Sequence, residues 1–235
     1  ADKFLSVGDY ILGRMGVKAF TDHSLASRTM AYDVTNRKWS DELLSVVGLP
    51  EYMLPEVKAS GTVAGKLSES AADILRLKAG TVVAVGGHDQ PCGALGAGVT
   101  APGDAADSAG SYECITVAGD NPALGNDAFK YSLNSYCHVI PDKYVTLAFF
   151  PAGVVLRWFR DQFASCEIDE GKKNGKDVYD ILTSHLSDDP SGILFTPHFI
   201  GSGNPSWNVN ATGAVVGLKT GKSRYDLFKA IMEGI

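Results

Sequence analysis

Residues 83–98, VAVGGHDQPCGALGAG, constrain this chain more than any other stretch. The apolar run from Thr81 to Val85 reads as a buried strand. Gly86 and Gly87 follow, where the backbone must turn tightly or let another group come close. His88, Asp89 and Gln90 then stand at the strand's mouth. Pro91 falls in the first turn of a helix, where its missing N–H is no loss. The helix beyond is nearly bare of side chains: Gly93, Ala94, Gly96, Ala97 and Gly98. Asp89 has two explanations. It is a good N-cap for that helix. It is also a carboxylate kept ionised by a helix N-terminus, at the end of a strand, where ligands of open α/β sheets bind. Local chemistry leaves both open.

The surrounding pattern predicts an α/β layered fold. Apolar spacing predicts a helix over 3–15, closed near Gly16, and a short polar-starting helix in TDHSLASRTM (21–30). Ser40 and Ser68 are N-caps of two more, and Gly48 ends the first of these. The helix after Asp89 is expected over about 90–98. TAPGDAADSAG (100–110) is a shift to small, turn-rich composition, and a domain boundary belongs near it. Beyond it, DSAGSYECITV is two extended arms around Ala109-Gly110, and YSLNSYCHVI and KYVTLAFF are strands joined by a Pro141-Asp142 turn. Val154, Val155, Trp158, Phe159 and Phe163 mark a helix; Val178, Ile181, Leu182 and Leu186 mark another. GILFTPHFI and TGAVVGLKTG are strands, and a helix closes the chain.

Composition narrows the class. With 235 residues, 45% hydrophobic, the chain can bury a substantial core. A net charge of -6 without any basic run argues against nucleic acid. No apolar stretch is long enough to span a bilayer, and no signal peptide pattern opens the chain. Cys92, Cys114, Cys137 and Cys166 are too far apart for a zinc site and fit a reducing cytoplasm. His88 is a metal-ligand candidate with no His or Cys partner at suitable spacing, and His23, His138, His185 and His198 are scattered and suggest nothing. Apolar helical patterns run up to both ends, as in a slice of a longer protein.

In order along the chain, KFLSVGDYIL, TDHSLASRTM, GGHDQPCGALGAG, DSAGSYECI, FPAGVVLRWFRD and HFIGSGNPSWNVNATGAVVGL resemble the FGGY carbohydrate kinases. Each segment alone is weak; their sequence together is specific. The resemblance implies an actin-like, ribonuclease H-like ATPase fold. Residues 1–101 would end the N-terminal substrate domain and 102–235 begin the C-terminal nucleotide domain. It implies ATP-dependent phosphorylation of a sugar or polyol, of the xylulose or glycerol kinase kind, with Mg²⁺, in the cytoplasm. Partners would be the small-molecule substrate and a second copy in a homodimer, with neither nucleic acid nor membrane. The initial DxGT phosphate motif and the later glycine-rich nucleotide segment are absent, so these 235 residues alone would not turn substrate over.

Residue by residue, the resemblance implies Asp89 as catalytic base, Gln90 as a ligand of substrate hydroxyls and His88 as a wall of the sugar pocket. Gly110 and Ser111 match the hairpin that touches ATP phosphates, against the plain alternative of a β-turn. Gly153 and Arg157 match positions near the nucleotide, although glycerol kinase has glutamine where Arg157 stands. Ser202 replaces a frequent glutamate, and Trp207 reads as packing. Thr21, Asp22 and Ser24 match a polar segment near the substrate, which helix capping explains equally. Two rivals stand beside the kinase: a non-catalytic actin-like sugar-sensing or scaffolding protein, and an acyl or phosphate hydrolase built on Asp89 and His88. The hydrolase lacks a G-x-S-x-G elbow.

Overall fold

The computed structural model describes residues 2–235. Ser6 ends the entry to the first helix: its hydroxyl accepts from Asp9 N–H, while Asp9 accepts from Ser6 N–H. This capping box starts α1 (Val7–Arg14) four residues later than the apolar spacing suggests. Then follow β1 (Phe20–Asp22), α2 (His23–Ser27), β2 (Tyr32–Asp33), β3 (Lys38–Trp39) and α3 (Asp41–Val47). Next come β4 (Glu56–Lys58), β5 (Val63–Lys66), α4 (Glu69–Leu75), β6 (Val82–Ala84) and α5 (Asp89–Gly96). Ser40 and Ser68 cap as expected, and Gly48 ends α3 in the left-handed region, at φ 63°. There glycine carries no Cβ penalty.

β1 pairs in parallel with β4, Thr21 opposite Val57. β6 pairs antiparallel with β5 and is not the buried strand that its apolar run suggests. Val83 and Val85 face inward, while Val82 is 59% exposed. The reason is the ribbon itself: two strands with one covered face alternate in and out.

β7 (Ala105–Ala109) and β8 (Tyr112–Gly119) form the expected hairpin arms. After α6 (Asn126–Lys130) come β9 (Asn134–Cys137) and β10 (Tyr144–Pro151), antiparallel with Tyr144 opposite Cys137. The sheet order is β7-β8-β10-β9. The chain continues through α7 (Gly153–Phe163), α8 (Ser165–Asn174), α9 (Val178–Ser184), β11 (Leu194–Thr196), β12 (Ala214–Val216) and α10 (Arg224–Gly234).

The residues divide into two compact units. One holds residues up to Ala106 with Thr116–Gly125 and Asn134–Leu147; the other holds Asp107–Ile115, Asn126–Leu133 and Ala148–Ile235. In the first, Ala26, Tyr32, Trp39, Leu44, Cys137 and Tyr144 form one buried cluster, and Leu12, Leu67, Ala71, Ala72 and Val83 another. In the second, Val155 and Phe159 of α7 pack with Leu182, Phe195, Phe228 and Ile231, all buried. Among the described residues no helix is long and apolar enough to cross a membrane.

Candidate active site

The first unit presents the Asp89 turn. His88, not Asp89, is the N-cap of α5: its Nδ1 accepts from Gln90 N–H at 3.3 Å. Asp89 is therefore displaced to the first helical position. Its Oδ1 accepts from Gln90 N–H at 2.8 Å and lies 3.3 Å from His88 Nε2. Because His88 Nδ1 is the acceptor, the neutral ring carries its proton on Nε2. Burial holds the His88 ring below the ordinary histidine range, Asp89 opposing and Arg28 reinforcing the shift. The Asp89 side chain itself is 85% exposed. An exposed carboxylate with one oxygen already oriented can take a proton from a hydroxyl brought to its other oxygen. Gln90 is half-buried one residue on.

Behind the turn lies a buried polar network. Asp22, fully buried, caps α2, accepting from Leu25 N–H on Oδ1 (3.0 Å) and Ser24 N–H on Oδ2 (2.9 Å). Ser24 Oγ (2.6 Å) and Ser60 Oγ (2.8 Å) also donate to Oδ2. Ser24 Oγ in turn accepts from His88 N–H at 2.8 Å. Capping thus accounts for Asp22 only in part, and the link from Ser24 to His88 spans 64 residues of chain. The polar segment TDHS was visible in the sequence, but the contact that gives it meaning was not.

The second unit presents the β7–β8 turn. The helix α7 has no side-chain cap. Its first N–H groups are taken by the turn instead: Gly153 donates to Gly110 O at 3.0 Å and Val154 to Ser111 O at 2.9 Å. A Cβ on Gly153 would lie 2.4 Å from Gly110 O, so only glycine permits this approach. Arg157, one helical turn on and exposed, donates through its guanidinium to Ser111 Oγ at 3.0 Å. Gly110, Ser111, Gly153 and Arg157 are thereby gathered into one cluster. On the hairpin arms a hydrogen bond with Asp107 raises the Glu113 carboxyl above its ordinary range.

Ser202 closes its own loop, accepting from Asn208 N–H at 3.1 Å. Trp207 packs, its ring 5.7 Å from that of Phe149, yet stays 47% exposed. Asn204, buried, fastens this loop: its Oδ1 accepts from Phe149 N–H and its Nδ2 donates to Tyr131 O and Ser132 O, each at 2.8 Å.

Residues 1–96 match the model of the FGGY family of carbohydrate kinases, N-terminal domain, and residues 105–235 match that family's C-terminal domain. The chain belongs to the FGGY family of carbohydrate kinases. It is 26% identical to a gluconokinase of Bacillus subtilis over all of this chain and 46% of that protein. It is 27% identical to a xylulose kinase of Staphylococcus xylosus over 99% of this chain and 46% of that protein. Its fold matches the solved structure of a xylulose kinase from Lactobacillus acidophilus with a TM-score of 0.83 at 22% identity, covering 100% of this chain and 46% of that one. The FGGY fold is the actin-like ATPase fold expected above. The chain spans about half the length of the curated relatives it matches.

Proposed function

We propose that this chain is part of an ATP-dependent carbohydrate kinase that phosphorylates a hydroxyl of a sugar or polyol, a ketose such as xylulose first among them. The observation that carries the reading is the Asp89 carboxylate, exposed at the start of α5, with one oxygen accepting from Gln90 N–H at 2.8 Å and 3.3 Å from His88 Nε2. The substrate oxygen attacks the γ-phosphorus, the bond from that phosphorus to the ADP oxygen breaks, and the hydroxyl proton passes to Asp89. Gln90 binds the sugar's hydroxyls and His88 forms a wall of the pocket. In the other unit, Ser111 Oγ and the Arg157 guanidinium contact phosphate. Arg157 has donors to spare beyond its bond to Ser111, and Gly153 keeps α7 close enough for the two to meet.

We assign residues 1–101 to the end of the substrate domain and 102–235 to the start of the nucleotide domain. Magnesium would neutralise charge developing on the phosphates. Among the described residues no three His, Cys, Asp or Glu side chains converge as a site for it. Its ligands would therefore have to include groups beyond these side chains, and no step above depends on it. Acidic net charge suits small solutes better than nucleic acid, in the cytoplasm. The test is ADP release by a protein of the relatives' length that carries this chain, offered ketoses, polyols and sugar acids with ATP. The proposal expects one substrate group to stimulate release at least about tenfold over ATP alone, a difference of 1.36 kcal/mol in barrier. No stimulation by any of them would contradict it.

A further inference from the structure

We propose that Ser24, held by Asp22, is a positioning residue for the Asp89 carboxylate. The inference rests on the reading of Asp89 as base. A serine hydroxyl has one proton and two lone pairs. Ser24 commits its proton to Asp22 Oδ2 at 2.6 Å, which leaves its lone pairs to receive His88 N–H at 2.8 Å. Both Asp22 and Ser24 are completely buried, so neither bond competes with water. A bond from a charged acceptor through a hydroxyl polarises the next one along.

The bonded N–H belongs to the residue that caps α5 and immediately precedes Asp89. The peptide plane where the chain turns into the helix is therefore fixed from behind. The preceding residue is pinned as well. A Cβ on Gly87 would meet Val139 Cγ1 at 2.5 Å, Cys92 Sγ at 3.1 Å and Ser24 Oγ at 3.4 Å. Proton transfer needs heavy atoms about 2.6–3.2 Å apart, and a displacement of about 1 Å can lower a rate about 10²-fold. Asp89 is largely exposed, and the hydrogen bond that orients it comes from Gln90 N–H of the same turn. Its placement comes from the backbone, and Ser24 holds that backbone.

Ser60 supplies the control. It donates its one hydroxyl proton to the same Asp22 oxygen at 2.8 Å, so it has none to give the turn. In the full-length kinase, Ser24→Ala should lower kcat about 10- to 100-fold, with KM for ATP unchanged. Ser60→Ala should lose a similar amount of thermal stability and keep kcat within about threefold, since it leaves the turn's geometry intact. Adding Ser24→Ala to Asp89→Asn should lower turnover no further, because the serine acts only through the aspartate. If Ser24→Ala does not fold, Ser24→Cys should show the same kcat loss in smaller degree. Equal kcat losses in the two serine variants, or a full additional loss on top of Asp89→Asn, would overturn the proposal. Near-normal turnover in Asp89→Asn alone would overturn the base reading and this inference with it, and is read separately from the serine comparison.

Discussion

At the scale of residues, the structure replaces one cap by another. Asp89 is among the best capping residues, and the sequence pattern offers it that task beside a functional one. His88 performs it instead, because its Nδ1 reaches Gln90 N–H. Aspartate in that place was legible; a histidine cap was not, since imidazole is no common capper and the contact depends on which nitrogen is bare. The same Nδ1 acceptor role recurs at His138, 2% exposed, whose Nδ1 accepts from Ile140 N–H and whose Nε2–H donates to Val99 O. Both rings are satisfied only when neutral. Burial lowers the pKa of His23, His88 and His138 alike. A lowered histidine pKa gives stability that is full above the unfolded value of about 6.5 and is lost as pH falls through the folded value. Thermal unfolding followed from pH 7.5 to 5 should therefore show a falling melting temperature. His138→Gln should begin lower and fall less steeply; an equally steep fall would show that His138 takes no part. At Ser111 the expectation concerns binding. Ser111→Ala in a protein of the relatives' length that carries this chain should raise the KM for ATP about tenfold, as loss of a bond to a charged group does, with sugar affinity by calorimetry unchanged. An unaltered ATP response would leave Ser111 a turn residue.

At the scale of elements, what was legible had local causes. Ser40 and Gly48 bracket α3, and Gly110-Ser111 turns the β7–β8 hairpin one residue later than the Ala109-Gly110 expected, because caps and turns are written in a few adjacent residues. The helix α8 was missed. SCEIDEGKKN has no apolar stripe, and its buried residues are Glu167 and Gly171. Glu167 is held by Arg224 and Tyr225 of α10, 57 and 58 residues away, so tertiary ion pairing, not periodicity, defines that helix. The parallel pairing of β1 with β4 was likewise illegible, since it joins segments 36 residues apart in register. Gly153 shows an element's placement resting on one missing side chain. With Gly110 O 2.4 Å from where a Cβ would sit, Gly153→Ala should move α7 away from the hairpin. Overpacking against backbone costs about 1–3 kcal/mol. Chemical denaturation checks this; a change under about 0.5 kcal/mol, the range of ordinary surface substitutions, would show that the helix and turn need no such contact.

At the scale of the whole molecule, the family was legible because six weak segments fall in one order, and the family models then match 1–96 and 105–235. The sugar was not legible. Specificity lies in which hydroxyls meet a donor or acceptor at the right distance, and the chain spans about half the length of its relatives. The central claim is that Asp89 takes the substrate's proton. It is tested most directly by turnover of a protein of the relatives' length that carries this chain, at saturating sugar and ATP, wild type beside Asp89→Asn. Asparagine fits the first turn of a helix about as well as aspartate but cannot accept the proton. The account predicts an unchanged melting temperature and a fall in turnover of about 10²–10⁴, equal to about 3–5 kcal/mol of barrier at 1.36 kcal/mol per decade. A stable Asp89→Asn enzyme with near-normal turnover would contradict it.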